Sequence, residues 1–380
     1  MHWQRFSLQP YNFYAKGVLM NLKSFIYFAL VDEVRAPGVA KKIKNTVLAA
    51  KECGLASEKR IYKNQLSGML RFLVDLWRSN SDVVMIRFSD LAFPLVFFVM
   101  VALRIRGTKI IVDVPTPRVV GLKEMDVSIS KPIVRFFRKA ITYFSASWVL
   151  LPASLIVQYA DEGWWFSLGL RNKTYKIGNG ILIDGSTPLS GGRWPADAVS
   201  LIGVAQLANW HGYDRLLKAL AMAKKEDCTY KITLTIVGEG EELAALKRLA
   251  SDLDLNDVIF TGRLSGKDLD SAFEGAHFGV SSLGLYRKGL NEASDLKTRE
   301  YMARGLCVIG AGRDPDFETV SPYRFEVSNS DSVQDLARLL TGLKNLSLPP
   351  PEEVRRFAQE KLSLGAKLNG ILEAICDRPS

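Results

Sequence analysis

Residues 291–309, NEASDLKTREYMARGLCVI, predict a short helix that leads directly into a buried strand. Ser294 is suited to the N-cap position, and Gly305 stands where helices commonly end. The apolar run at 306–309 is typical of a buried strand. Similar alternation of strand-like and helix-like segments along the chain predicts an α/β fold with parallel sheets.

Two kinds of charge stand out in this stretch. Lys297 and Arg299 fall in the first turns of the predicted helix, where cations are unfavourable unless an anion lies among them. The free N–H groups of such a helix end favour a phosphate. Glu292 and Glu300, with seven residues between them, could hold two parts of one extended ligand. The alternative is a loop acid and a surface acid paired with a neighbouring base.

The Glu-x7-Glu spacing, the Leu-Lys before the second acid and EYMARGLCVI after it resemble the donor site of glycosyltransferase family 4. The resemblance covers residues 201–318 well and the first half loosely. It implies a GT-B fold, in which two Rossmann-like domains face each other across a cleft and a C-terminal helix crosses back to the N-terminal domain. It also implies a retaining transferase that uses a nucleotide-diphosphate sugar.

The resemblance assigns roles by position. Glu292 would face the transferred sugar, with Lys297 beside it, and Glu300 would hold the ribose. Backbone N–H groups and a lysine would hold the diphosphate, and the corresponding residues are Ala293, Ser294, Asp295 and Lys297. The backbone at Arg263 and Leu264 would meet the base. Gly38 would follow the first strand as the remnant of a Gly-rich loop, and an ordinary turn glycine is the alternative at that position.

The chain departs from the family after the first strand of the second domain. An Arg and a Lys that usually grip the diphosphate are replaced here by Gln206 and His211. His211 could donate to a phosphate, and a pKa near neutrality would make activity pH-sensitive. The alternative is that His211 caps a turn beside Trp210. Other cations are candidates to replace the missing pair: Lys297, Arg299 and Arg215.

The first half offers acceptor-side candidates. Asp113 ends a predicted strand at 108–114, and Arg118 lies in the following loop, where two prolines argue against a helix. Open α/β sheets place ligands at this end of their strands. An ordinary capped loop is the alternative.

Charge is distributed unevenly along the 380 residues. Residues 1–184 hold 26 Lys and Arg against 13 Asp and Glu, whereas the remainder holds 24 against 27. The basic first half points to an acidic partner, which could be nucleic acid, an anionic membrane or a phosphorylated acceptor. Residues 130–148 predict a basic amphipathic helix suited to an anionic membrane surface, with a core helix carrying a solvated basic face as the alternative.

The cysteines and the apolar segments indicate the cellular compartment of the protein. The scattered residues Cys53, Cys228, Cys307 and Cys376 predict neither a metal site nor a disulfide framework, and they fit a reducing cytoplasm. No convincing signal peptide precedes the first strand, and the apolar run at 91–103 is too short to span a bilayer. We therefore expect a cytoplasmic protein that associates peripherally with the inner face of the membrane.

These observations predict three segments: an acceptor-binding domain at 1–184, a nucleotide-sugar domain at 185–350, and a C-terminal helix at 351–380. The expected activity is metal-independent, cofactor-free transfer of a sugar to a hydroxyl of a lipid-linked glycan in surface polysaccharide or lipopolysaccharide synthesis. A nucleotide-sugar epimerase of the same fold and a non-catalytic anion-binding or membrane-binding protein are the alternatives. A nucleic-acid binder is disfavoured, because no recognised module is present.

Overall fold

The computed structural model describes residues 22–34, 36–183, 198–225, 230–318 and 320–377. The chain forms two compact units. The first unit comprises residues 1–158, 162–175 and 368–380, and the second comprises residues 159–161 and 176–367. The predicted linker at 185–195 and Cys228 lie outside the described residues.

The first unit alternates strands with helices. Its strands are β1 (Ser24–Leu30), β2 (Ala56–Tyr62), β3 (Val83–Arg87), β4 (Lys109–Val114), β5 (Leu155–Gln158) and β6 (Thr174–Lys176). Its helices are α1 (Pro37–Glu52), α2 (Leu66–Trp77), α3 (Phe93–Ile105), α4 (Arg118–Ser128), α5 (Pro132–Phe144) and the single turn α6 (Trp164–Ser167). The strands are joined in the order β2-β1-β3-β4-β5-β6.

The second unit repeats the pattern. Its strands are β7 (Ala198–Val204), β8 (Lys231–Val237), β9 (Val258–Gly262), β10 (Phe278–Val280), β11 (Cys307–Ala311) and β12 (Arg324–Val327). Its helices are α7 (Tyr213–Lys225), α8 (Leu243–Asp252), α9 (Gly266–Phe273), α10 (Leu296–Ala303), α11 (Gln334–Gly342) and α12 (Pro351–Phe357). The order is β12-β11-β10-β7-β8-β9, and the pairings given for this sheet are parallel. The predicted α/β fold with two Rossmann-like domains is therefore confirmed.

The central strands of the second sheet are apolar because helices cover both faces of a doubly wound sheet. Val280, Val308 and Ile309 have no exposed surface. Gly279 is the middle residue of β10, and a Cβ atom added there would stand 2.2 Å from the ring of Tyr301. The glycine therefore lets α10 approach the sheet closely.

Three segments differ from the sequence expectation. The first unit gives way to the second after Tyr175, before the predicted boundary at 184, and Ile181 forms a parallel bridge with Ser363 inside the second unit. The loop predicted after β4 is instead α4, because a proline just before a helix costs no hydrogen bond. The predicted final helix is divided into α12, a π-helical turn at 358–362 and α13 (Leu364–Cys376).

The end of α13 belongs to the first unit. Cys53 donates through Sγ to Oδ1 of Asn369 at 3.0 Å, and Lys109 donates through Nζ to the carbonyl of Ile375 at 3.0 Å. These contacts anchor the last helix on the strands and helices formed by the beginning of the chain.

Candidate active site

The candidate site lies in the second unit, where the sheet order changes direction. β7 and β10 are neighbours in the sheet, but the chain continues from β7 towards one edge and from β10 towards the other. Ligands of open α/β sheets bind outside the carboxyl ends of the strands at such a point. The loops that follow β7 and β10 carry His211 and Ser281, and α10 starts after the second loop.

The N-terminus of α10 is built differently from the expectation. Asp295, not Ser294, is the N-cap residue, and its carboxylate makes no hydrogen bond to the helix. It accepts instead from Ser281 Oγ at 2.9 Å and from the N–H of Ser282 at 3.2 Å. Ser294 is buried and accepts a hydrogen bond from the N–H of Asn179 at 2.5 Å. The cap side chain therefore leaves the first-turn N–H groups of α10 available to a ligand.

Lys297 lies in this first turn and has an unusual environment. Its Nζ atom is buried and, among the residues that the structure describes, has no hydrogen-bond partner. Burial lowers the pKa of Lys297 to about 8, although the negative charges of Asp295 and Glu300 act in the opposite direction. A buried ammonium without a partner is costly, so this site favours an anion.

His211 is buried in the 3-10 turn Asn209–His211 after β7. Its Nδ1 atom accepts a hydrogen bond from the N–H of Ala208 at 3.2 Å. Burial, together with the charge of Lys297, lowers the pKa of His211 to about 4, so the ring is neutral near pH 7. The expectation of a pKa near neutrality was therefore wrong. Because Nδ1 accepts, the neutral ring carries its proton on Nε2 and can donate to a ligand.

Lys288 is a further cation that the sequence analysis missed. Its Nζ atom lies 3.9 Å from the ring centroid of Trp210, and its charge contributes to the lowered pKa values of both His211 and Lys297. In the sequence, Lys288 is simply the second of two consecutive basic residues. That pattern does not show which way its side chain points. The structure therefore gathers two lysines and an imidazole N–H donor around one place.

The two predicted acids have different surroundings. Glu300 is exposed, and its charge acts on Lys297. Glu292 is mostly buried and forms an ion pair with Lys176, whose Nζ lies 2.6 Å from Oε1. Lys176 also donates to Asp161 at 2.9 Å. The sequence analysis did not single out Lys176, which holds the Glu292 carboxylate in one orientation.

The backbone at Ala293 is already occupied. Its N–H donates to the carbonyl of Arg313 at 3.0 Å, and Glu292 forms a parallel bridge with the same residue. The expectation that this N–H holds a diphosphate is therefore corrected. The bridge fixes the loop that carries Glu292 against the segment after β11.

Arg299 does not serve as a phosphate ligand in this structure. The side chain has no exposed surface, and its guanidinium donates to both carboxylates of Asp314 and Asp316. The remaining bonds go to the carbonyls of Asn179 at 3.1 Å and Asp295 at 3.3 Å. All five N–H donors are therefore used internally.

Arg215 is committed in the same way. Its Nε donates to the carbonyl of Ser332 at 2.5 Å, and Nη1 donates to the carbonyls of Leu283 and Ser328. Nη2 donates to Ser328 Oγ at 3.1 Å and to Asp335 Oδ1 at 2.9 Å. The proposal that this arginine replaces a missing diphosphate ligand is corrected, because it ties α7 to the end of the sheet.

The remaining donor-side candidates are dispersed. Arg263 is exposed after the edge strand β9, whereas Leu264 packs against the core. Gly38 lies in the first turn of α1 in the first unit, where an added Cβ would meet nothing within 4 Å. The structure therefore does not require a glycine at position 38 for space.

Both acceptor-side candidates, Asp113 and Arg118, are buried. Asp113 is fully buried at the end of β4. Arg118 is buried as well, and it donates to Glu162 at 3.1 Å and to the carbonyls of Ala146 and Phe166. Arg118 therefore stabilises the start of α4, and the expectation of a ligand-binding arginine is corrected.

The described residues contain neither a candidate metal site nor a membrane-spanning helix. Over the described ranges, no group of three or more His, Cys, Asp or Glu side chains is placed to hold a metal ion. No helix in the same ranges has both the length and the apolar composition that crossing a bilayer requires.

Sequence comparison relates the second unit to known proteins. Residues 192–361 match the family model described as glycosyl transferases group 1. Over 171 residues the chain is 25% identical to an uncharacterized glycosyltransferase of Methanocaldococcus jannaschii. That match covers 43% of this chain and 42% of the relative, so it spans about two fifths of the relative's length. These matches support a glycosyltransferase group 1 domain in the second unit.

Solved structures extend the likeness in fold to both units. The apo form of the lipopolysaccharide outer core galactosyltransferase WaaB has a TM-score of 0.61 at 10% identity, covering 92% of this chain and 98% of that one. WaaG, a glycosyltransferase involved in lipopolysaccharide biosynthesis, has a TM-score of 0.51 at 13% identity, covering 92% and 99%. At these identities the likeness concerns the fold, which is that of GT-B glycosyltransferases.

The environments of Arg299 and Lys297 predict opposite effects on stability. Arg299→Met leaves the buried Asp314 carboxylate without its ion pair, and Asp316 keeps only Lys367 as a cationic partner. We therefore expect the free energy of unfolding to fall by about 3–5 kcal/mol. Lys297→Met removes a buried ammonium that has no partner, so we expect stability to be unchanged or higher. The midpoint of urea denaturation checks both changes. Equal losses of stability in the two variants would contradict this assignment of their roles.

Proposed function

We propose that this protein is a retaining glycosyltransferase that moves a sugar from a nucleotide-diphosphate donor to a hydroxyl group of a lipid-linked glycan. The observation that carries the proposal is the buried, unpartnered ammonium of Lys297 at the start of α10. It lies in the unit that matches glycosyl transferases group 1, on the loop-bearing side of the switch point between β7 and β10.

The proposed role of this end of α10 is to bind the diphosphate. Lys297 would contribute a full positive charge, the first-turn N–H groups of α10 would donate, and His211 would donate through Nε2. Lys288 adds a second ammonium whose charge reaches the same place. As the bond between sugar and diphosphate breaks, negative charge grows on the leaving group, and donors fixed beforehand stabilise that charge most effectively.

The two acids would hold the ends of the donor. Glu300 is exposed on α10 two turns beyond Glu292 and would accept hydrogen bonds from the ribose hydroxyls. Glu292 would orient the transferred sugar, and its ion pair with Lys176 fixes the carboxylate before the sugar arrives. Retention of configuration is carried over from the resemblance of residues 291–309 to family 4. Metal independence is proposed because the two lysines and the helix end supply the positive charge.

The proposed setting is the cytoplasmic face of a membrane, in the assembly of surface polysaccharide or lipopolysaccharide. Helix α5 supports this setting, because its apolar side chains are turned to solvent. Exposure reaches 73% at Ile133, 69% at Phe136, 62% at Phe137 and 68% at Phe144. Lys131, Arg135, Arg138 and Lys139 belong to the same segment, although Asp126 pairs with Lys139 at 2.7 Å. Basic residues beside exposed aromatic side chains are typical of interfacial helices.

A donor-binding experiment tests the proposed site. We expect thermal stabilisation by one class of nucleotide sugar in a panel of UDP, GDP and their sugars, since a bound ligand raises apparent stability. Lys297→Met should weaken that binding by roughly tenfold to a hundredfold, because it removes a charge-assisted contact. Lys247→Met, at an exposed position on α8, is the matched control and should leave the affinity unchanged.

The same preparation separates the alternative activities. A transferase moves the labelled sugar to an added acceptor, whereas an epimerase isomerises it on its nucleotide. Glu300→Ala should abolish transfer. A non-catalytic anion-binding protein would instead transfer no sugar and would bind its anion equally well with and without this substitution. Absence of stabilisation by every nucleotide and nucleotide sugar in the panel would refute the proposed function.

Vesicle binding tests the membrane setting. We expect the intact protein to bind vesicles that contain anionic lipid, and the double variant Phe136→Ser, Phe137→Ser to bind about tenfold more weakly or less, because each ring buries apolar area in the interface. Ile259→Ser, an exposed apolar residue of the second unit, serves as the control. Equal binding by the double variant and the control would exclude α5 as the contact.

A further inference from the structure

The first unit contains a polar cleft at the carboxyl end of its strands, in addition to the candidate site of the second unit. The sheet order β2-β1-β3 places the change of chain direction between β1 and β3, which is where an open sheet forms a crevice. A cleft of about 440 Å³ lies there. Its polar lining residues are Asp32, Lys63, Asn64, Gln65 and Arg87.

Arg87 is held rigidly at this cleft. It is the last residue of β3 and pairs in register with Asp113 of β4, so the two side chains emerge on one face of the sheet. Its Nη1 donates to Asp113 Oδ2 at 3.2 Å, and the hydroxyl of Tyr27 donates to the same oxygen. Asp113 and Tyr27 are buried, whereas the Arg87 side chain keeps 14% of its surface exposed.

Lys42 of α1 lies behind the cleft, close enough for the charges of both Asp113 and Arg87 to act on it, and burial lowers its pKa. The Asp113 carboxylate therefore has both Arg87 and Lys42 near it. Lys63 adds a cation beside Arg87 at the cleft, while the Asp32 carboxylate accepts a hydrogen bond from the N–H of Val34.

The burial of these charged groups lowers the stability of the fold, and a bound anion would offset that loss. Burying a charged group costs several kcal/mol even when it is paired. A guanidinium that is fixed on one side by a buried carboxylate loses little side-chain entropy when it binds an anion on the other side. The cleft therefore has the properties of a preorganised anion site, with the Asn64 and Gln65 amides available for hydroxyl groups.

We propose that this cleft binds the phosphate group of a phosphorylated acceptor, with Arg87 and Lys63 as the phosphate ligands. Asp113 and Tyr27 are positioning residues, because they act on the ligand only through the orientation of Arg87. The inference rests on the proposed function in that it names the class of acceptor. The phosphate could belong to a soluble sugar phosphate or to a lipid phosphate, since both present the same charged group.

Titration calorimetry of the full chain tests the cleft. The probes are glucose 6-phosphate and glucose, as the soluble arm, and dihexanoyl phosphatidic acid at monomeric concentrations, as the lipid arm. We expect at least one phosphate probe to bind and glucose not to bind. Preference for the first or second phosphate compound identifies the source of the group.

Variants then locate the bound phosphate. Arg87→Gln should weaken binding of the phosphate probe about tenfold or more, and Arg87→Lys should restore only part of it, because lysine lacks the planar fork. Lys63→Ala changes an exposed residue and should weaken binding about threefold to tenfold without disturbing the fold. Tyr27→Phe should weaken binding less than Arg87→Gln. Lys51→Ala, at the far end of α1, is the control.

Nucleotide-sugar binding, measured on the same variants, keeps the two proposals distinguishable. If a nucleotide sugar binds all variants equally while the phosphate probe is lost from Arg87→Gln and Lys63→Ala, both proposals are supported. If the nucleotide sugar binds but neither phosphate compound does, or if Lys63→Ala and Lys51→Ala bind the probe equally, the cleft proposal is overturned while the donor site stands.

Discussion

Among the residues that the structure describes, the ammonium of Lys297 is buried without a hydrogen-bond partner, and the proposed donor site is arranged around this constraint. Water stabilises an ammonium strongly, and a protein interior does so only through a partner. The carboxylate of Asp295 acts on Lys297 more strongly than that of Glu300, but it accepts hydrogen bonds from Ser281 and Ser282 instead. The positive charge is thus kept available for a ligand, at a cost in stability that a bound diphosphate would repay.

Other charges in the same unit are satisfied internally. Arg299 and Arg215 each use all five donors on carboxylates, carbonyls and a hydroxyl group. Both stabilise loops near the switch point of the sheet and leave no N–H for a ligand. Lys297, Lys288 and the Nε2 proton of His211 are not used in this way and remain for a ligand. A chain that lacks the usual Arg and Lys after β7 could therefore still bind a diphosphate.

The fold was largely predictable, because buried parallel strands give apolar runs that sequence patterns show. The predicted strands at 108–114 and 306–309 correspond to β4 and β11, with ends that differ by no more than two residues. β2 and β12 are among the strands that were not predicted, for physical reasons. β2 reads ASEKRIY, and as an edge strand it carries charged side chains on exposed surface. β12 has only four residues, too few for a periodic pattern to be recognised.

The site was less predictable than the fold. Lys297 and Arg299 are two positions apart, which places them roughly 200° apart around a helix, so only one can face a given direction. Which one remains available depends on Asp314 and Asp316, which follow β11 and have no recognisable relation to α10 in the sequence. Lys176 and Lys288 were missed because each is an ordinary surface-type residue until the fold brings it to Glu292 or to Trp210.

The most direct test of this account is the pKa of Lys297 itself, with and without a nucleoside diphosphate. It can be measured by NMR titration of protein with isotopically labelled lysine, with the signal assigned by its loss in Lys297→Arg. The account predicts a value of about 8 in the free protein, rising when UDP or GDP binds because the phosphate stabilises the charged form. An ordinary lysine pKa that does not change in the presence of either nucleotide would contradict it.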